Sequence, residues 1–242
     1  MKLKDIGEFG FIDRISRGCL IRPAGIVKAI GDDAAAFRSD PALLNLVTTD
    51  LLIERVHFIR NAADGYSLGY KALAVNLSDI AAMGGTARNA FVSIAVPQDV
   101  TLEFLDDFYC GIKSLAAEHE VNILGGDTTG SSVDLVINVV VTGTVAESEV
   151  LFRDKARVGD VIFSSGCLGD SSAGLHLELN RIAADTPYLK TLLEAHLRPK
   201  PFLREGRLLA AHGGVHAAID VSDGLSSCLL YTSDAADDSA LV

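Results

Sequence analysis

The chain has 242 residues, 49% of them hydrophobic, enough to fill one large core or two smaller ones. Its 32 acidic residues outweigh 21 basic ones for a net charge of −11, which speaks against binding nucleic acid through a general basic surface. No apolar run reaches the ~18–20 residues needed to cross a bilayer, and residues 1–10 lack the apolar stretch of a secretory signal. Four scattered cysteines (Cys19, Cys110, Cys167 and Cys228) suit neither structural zinc nor a disulfide framework. A soluble cytoplasmic protein without nucleic-acid or membrane partners is expected.

In chain order, residues 43–49 read as a buried strand that delivers Thr48-Thr49-Asp50 at its C-terminal end. Residues 66–83 are Ala/Leu-rich and helical, stopped by Gly84-Gly85. A strand over 90–96 and an amphipathic helix over 102–119 follow. Residues 121–124 and 135–144 read as strands, the second strongly β-branched. The charged stretch 147–157 marks a boundary between domains at 1–146 and 147–227. Beyond it, Gly159-Asp160 opens a strand over 161–165. Helices are expected over 170–180, 189–196 and 202–211, then a strand over 215–220. Strands and helices mix throughout, so the class is α+β or α/β.

Four short motifs set acids beside Gly, Ser or Thr: Gly31-Asp32-Asp33, Thr48-Thr49-Asp50, Gly125-Gly126-Asp127-Thr128-Thr129 and Asp220-Val221-Ser222-Asp223-Gly224. Asp79 lies inside the apolar helix, on the face of Ala72, Val75, Ala82 and Met83. A carboxylate there is costly unless it pairs, with Lys71 or Arg88, or binds a metal. Each motif alone is ordinary turn or cap chemistry. Together, at successive strand ends, they read as a Mg²⁺–phosphate site, because Mg²⁺ prefers a few carboxylate oxygens plus phosphate and glycines let backbone N–H groups approach it. There is no GxxxxGK[ST] and no HRD/DFG pair, so neither a P-loop nor a protein-kinase site is present.

In this order the motifs resemble the thiamine-monophosphate kinase family, from about residue 7 to residue 227. The most specific stretch is Tyr-Lys-Ala-Leu-Ala-Val-Asn-Leu-Ser-Asp-Ile-Ala-Ala-Met-Gly from Tyr70 to Gly84. Gly169-Asp-Ser-Ser-Ala-Gly174, His196-Leu-Arg-Pro199 and Ile219-Asp-Val-Ser-Asp-Gly-Leu225 support it. The family is grouped with aminoimidazole ribonucleotide synthetase, selenophosphate synthetase and the hydrogenase-maturation carbamoyl dehydratase. The resemblance implies an α+β, two-domain fold like that of aminoimidazole ribonucleotide synthetase. Its N-terminal mixed sheet would form a barrel across a homodimer, and its C-terminal α/β domain would be incomplete here. Asp33, Thr48, Thr49, Asp50, Asp79, Asp127, Asp220 and Asp223 match the family's Mg²⁺ ligands. Gly126, Asp127, Arg153 and Ser222 match contacts to ATP, and His57 matches the residue that touches the thiamine phosphate. The implied reaction is direct in-line transfer of the ATP γ-phosphoryl group to thiamine monophosphate. Several Mg²⁺ ions and Arg153 would neutralise two polyanions, and no covalent nucleophile is needed.

Two alternatives remain open at this stage: another ATP-using enzyme of the same superfamily, or a non-catalytic nucleotide-binding or dimerisation module. Cys19 lacks the glycine-rich setting that selenophosphate synthesis would want. Residues 228–242 depart from the family pattern and read as a non-native tail. The fragment is therefore expected to be weak or inactive beside its full-length parent.

Overall fold

The structure, a computed structural model, describes residues 14–24, 26–28, 36–37, 43–222, 224–226 and 228. The Gly31-Asp32-Asp33 motif, Asp223 and all of the tail except Cys228 lie outside these residues. The chain forms two compact units. The first comprises Met1–Pro41, Val47–Asn76 and Ala87–Thr142; the second comprises Ala42–Leu46, Leu77–Thr86 and Gly143–Val242.

A four-stranded sheet dominates the first unit. Its strands are β3 (Leu44–Ile53), β4 (Thr86–Pro97), β5 (Asn122–Ser131) and β6 (Val136–Val145), in the order β3-β6-β4-β5, with β4 and β5 parallel. β6 occupies a central position, and its β-branched run alternates cleanly: Ile137, Val139 and Val141 are buried, whereas Val136, Asn138 and Val140 are half-exposed. Ahead of the sheet, β1 (Ile26–Lys28) pairs antiparallel with β2 (Ala36–Phe37). Buried Asn122 ties down the arm leading to β1. Its side chain accepts the Ile21 and Arg22 N–H groups at 2.8 and 2.5 Å and donates to the Arg22 carbonyl at 2.8 Å.

Two helices carry the rest of this unit's core. Helix α1 (Gly65–Ala82) starts where the Asp64 carboxylate accepts the Ser67 N–H at 2.6 Å and the Ser67 hydroxyl at 3.0 Å. Helix α2 (Leu102–Glu118) is capped by the Thr101 hydroxyl, which accepts the Phe104 N–H at 3.3 Å. It buries Leu102, Leu105, Phe108, Ile112 and Leu115, a stripe at helical spacing. The two helices touch backbone to backbone. A Cβ at Gly69 would lie 1.9 Å from the Phe108 carbonyl oxygen, and one at Gly111 would lie 2.0 Å from that of Tyr66. Gly69 interrupts an otherwise strong helix former because no side chain fits at that crossing.

The second unit holds a 3₁₀ turn (Arg153–Lys155) and helices α3 (Asp170–Leu179), α4 (Pro187–Leu197) and α5 (Leu203–His212). Thr186 caps α4 through the Leu189 N–H at 3.3 Å, with Pro187 in the first turn. α3 and α4 are joined by His196, whose Nδ1 lies 3.2 Å from the Ser171 hydroxyl and whose Nε2 lies 3.4 Å from Glu178.

Four expectations need correction. Thr48-Thr49-Asp50 does not end a strand but sits in the middle of β3, and Gly125-Gly126-Asp127-Thr128-Thr129 is strand rather than loop, inside β5. Both are edge strands, where one side of the backbone needs no ladder partner and Gly and Thr are tolerated. Residues 161–165 and 215–220 are not strands. Val161, Ile162 and Phe163 are exposed and find no ladder partner among the described residues, and an apolar run without a neighbour has nothing to pair with.

Candidate functional site

On β3 the strand alternation divides the Thr48-Thr49-Asp50 motif between two faces. Thr48 and Asp50 share the side of buried Leu52 and are half-buried, while Thr49 points the other way and is exposed. On that far face Asn138 of β6 donates to the Thr49 hydroxyl at 2.9 Å and to the Asp50 carbonyl at 3.2 Å. The side chains of Thr49 and Asp50 therefore do not converge, and the Asn138 amide holds the backbone between them. Asn138 was missed in the sequence. The available signal was one amide inside Leu-Val-Ile-Asn-Val-Val-Val.

β5 presents its acid differently. Ala90 pairs with Ile123 but Phe91 pairs with Gly125, so Leu124 is an extra residue and the strand bulges just before the motif. Gly126 follows at φ 155°, and a Cβ there would lie 1.7 Å from the Val92 carbonyl oxygen. This position needs glycine for packing alone. Beyond it Asp127 pairs with Ser93 of β4 and is exposed, and its Oδ1 accepts its neighbour Thr128 N–H at 2.9 Å.

The sheet order sets these acids apart. β3 and β5 are opposite edges with two strands between them, a separation of three strand spacings or ~14 Å. Among the described residues, no three His, Cys, Asp or Glu side chains gather closely enough to hold a metal. The donors present are carboxylate and hydroxyl oxygens, which suit a hard cation such as Mg²⁺ and not zinc.

His57 lies in the turn after β3. It is exposed, its N–H donates to the Ile53 carbonyl at 2.9 Å, and its Nδ1 accepts the Ile53 N–H at 3.0 Å. Further along, α1 carries Asn76 fully buried. Its Nδ2 donates to the Ala72 carbonyl at 3.2 Å, and its Oδ1 has no hydrogen-bond partner among the described residues. An Ala/Leu-rich reading of this helix gave no hint of a buried amide.

The remaining candidates belong to the second unit, which takes in the C-terminal end of α1 from Leu77 onward. Asp79 is half-buried on α1, and Arg153 is exposed in the 3₁₀ turn. Asp220 is half-buried; its Oδ1 lies 3.5 Å from the Ser222 hydroxyl, and its carbonyl accepts from the buried Cys228 thiol at 3.2 Å. The segment leading to Asp220 is anchored by His216, whose Nδ1 lies 2.8 Å from Asp160 Oδ1 and whose Nε2 lies 3.1 Å from Arg157. The Arg157 N–H, then His216, hold the Asp160 carboxyl below its ordinary range. A lowered folded-state pKa contributes stability above the unfolded value of about 3.9 and loses it as pH falls through the folded value. Acidification below about pH 4 is therefore expected to loosen this anchor. Thermal unfolding followed from pH 5 to pH 3 should show a smaller acid-side loss in Asp160→Asn than in the wild type.

Known proteins resemble the chain in both sequence and fold. Residues 31–145 match the family model of the AIR synthase related protein, N-terminal domain. The thiamine-monophosphate kinase of Bacillus subtilis (strain 168) is 36% identical over 222 residues, covering 91% of this chain and 68% of that protein. The crystal structure of thiamine-monophosphate kinase from Stenotrophomonas maltophilia K279a superposes with a TM-score of 0.82 at 35% identity, covering 96% of this chain and 73% of that one. AaThiL complexed with AMPPCP and TMP superposes with a TM-score of 0.76 at 34% identity, covering 97% of this chain and 72% of that one. An identity of this size, over about two thirds of a relative's length, spans β3, α1, β5 and the Asp220 segment together. The chain belongs to the thiamine-monophosphate kinase family.

Proposed function

We propose that this chain carries the Mg²⁺- and ATP-binding part of an enzyme that phosphorylates thiamine monophosphate to thiamine diphosphate. One observation carries the reading: the stretch shared with kinases of this name must include Thr48, Asp50, Asp79 and Asp127, the oxygen donors described above. Asp33, Thr48, Thr49, Asp50, Asp79, Asp127, Asp220 and Asp223 are the residues that would hold Mg²⁺. When bound, Mg²⁺ neutralises the charge of two polyanions that must meet. Gly126, Asp127, Arg153 and Ser222 would bind and orient ATP, and His57 would hold the acceptor phosphate. That phosphate is already anionic, so it needs no general base, and an in-line displacement follows from placing the two groups correctly.

The three strand spacings between β3 and β5, ~14 Å, favour a homodimer. Val47 and Leu51 are 69% and 48% exposed on the sheet face that Phe91, Val136 and Val140 continue, an apolar surface suited to a second copy. Such a copy would bring β3 of one protomer beside β5 of its partner. In the full-length enzyme, mixing Asp50→Asn with Asp127→Asn should then restore about a quarter of wild-type activity, since half the dimers are mixed and each of those has one intact site. No recovery on mixing would place both acids in one protomer's site.

Ligand binding tests the reading directly. AMPPCP at 100 times its dissociation constant should raise the melting temperature by about 5–10 °C with Mg²⁺ and little without it. Thiamine monophosphate should add a further rise. A shift that ignores Mg²⁺ would overturn the proposal.

A further inference from the structure

The turn between β3 and α1 is braced far more heavily than a connection of its length requires. Glu54 pairs with Leu135 twice: its backbone N–H donates to the Leu135 carbonyl at 3.0 Å, and its Oε2 accepts the Leu135 N–H at 2.9 Å. Its other oxygen, Oε1, accepts from Arg60 Nε at 3.1 Å, and Arg60 Nη2 reaches Asp99 at 2.8 Å. The Glu54 and Arg60 side chains are only 12% and 16% exposed, so this is a built contact and not a surface ion pair. Inside the frame, Arg55 takes the left-handed conformation at φ 67°, donates its N–H to the Phe58 carbonyl at 2.7 Å and pairs with Asp134 at 2.6 Å. Phe58 is buried and pins the far end of the turn.

The residue this frame holds is His57. A backbone N–H can only donate, so the Ile53 N–H fixes His57 Nδ1 as an unprotonated acceptor. The neutral ring must then carry its proton on Nε2, which makes that atom a donor on an exposed side chain. An ionised phosphate oxygen only accepts, so the tautomer matches the ligand.

We propose that the Glu54–Arg60–Asp99 chain is a positioning device that locks His57 in the Nε2–H tautomer as a hydrogen-bond donor to the acceptor's phosphate. The phosphate's identity rests on the function proposed above; the tautomer does not. Locked in this way, His57 binds and orients the acceptor and takes no proton from it. Arg60 and Glu54 act through His57 and touch no substrate.

The test is ¹⁵N NMR of the His57 ring, with acceptor kinetics of the full-length enzyme alongside. The wild type should show an unprotonated Nδ1 and a protonated Nε2, with the Nε2 proton shifting when thiamine monophosphate is added. Arg60→Met keeps the aliphatic stem and should give a tautomer mixture. It should raise KM for the acceptor about tenfold with kcat changed less than about twofold, and Arg60→Lys should recover part of the loss. If Arg60→Met does not fold, Asp99→Asn, at a 70% exposed side chain, loosens the same chain more gently. A tautomer mixture in the wild type, or an unchanged His57 spectrum in both variants, overturns the proposal. Because the tautomer is read without substrate, it stands or fails separately from the kinase reading.

Discussion

Asp50→Asn in the full-length enzyme is expected to cut thiamine-monophosphate-dependent ADP release by about 10²–10³-fold, the usual cost of removing one preorganised electrostatic group. The substitution is close to isosteric, so β3 should keep its shape. Asp50 is half-buried in the middle of a strand, and Asn138 grips its carbonyl instead of its carboxylate. Under the proposed function, what is lost is charge at a residue that would hold Mg²⁺, not packing. The deficit should therefore shrink as Mg²⁺ is raised, and the melting temperature without ligand should hardly move. Steady-state rates across a Mg²⁺ titration read both effects. A variant within fivefold of wild type at every Mg²⁺ concentration would remove Asp50 from the metal set.

The second large effect concerns the scaffold. Gly69→Ala should destabilise the first unit by about 3 kcal/mol, in the upper part of the range for overpacking a tight contact. A methyl group 1.9 Å from the Phe108 carbonyl oxygen cannot be relieved by a side-chain rotation, because both walls of the crossing are helix backbone. α1 and α2 would have to part, exposing Phe108 and Leu68, which are now 1% and 2% exposed. A fall in melting temperature of roughly 6–12 °C is expected for a chain of this size. Gly130→Ala is the control, since nothing among the described residues lies within 4 Å of its Cβ position, and it should stay within about 0.5 kcal/mol of wild type. Equal melting temperatures for the two variants would mean that the helices can separate freely.

How far the sequence could be read depended on whether a feature was local. Helices α1 to α5 lie close to where the sequence pattern puts them, and Gly84-Gly85 stops α1 as expected; the caps at Asp64, Thr101 and Thr186 emerge only in the structure. The β-branched run of β6 was equally plain. β3 and β5 were cut short because Thr-Thr-Asp and Gly-Gly-Asp look like exits from a strand. They continue as edge strands, and in β5 the bulge at Leu124 and the missing Cβ of Gly126 fit the motif against β4.

The acids of the candidate site were legible as residues but not as an arrangement. Nothing local says that the strand runs on past Thr49-Asp50 and so turns these side chains to opposite faces, or that two strands separate Asp50 from Asp127. The residues that brace the site were hidden for the same reason. Asn138 reaches Thr49 across 89 residues of chain, Glu54 reaches Leu135 across 81, and Arg60 reaches Asp99 across 39. Each is an unremarkable polar residue until the sheet brings its partner alongside. The strands expected at 161–165 and 215–220 failed in the opposite sense: their pattern was right for strands, but a strand also needs a neighbour.

The most direct test of the account is ADP production by the full-length enzyme with Mg²⁺ and ATP, measured with and without thiamine monophosphate. ADP and thiamine diphosphate formed in equal amounts, dependent on both Mg²⁺ and thiamine monophosphate, is the predicted result. ADP release that ignores thiamine monophosphate, or no release under any of these conditions, would contradict it.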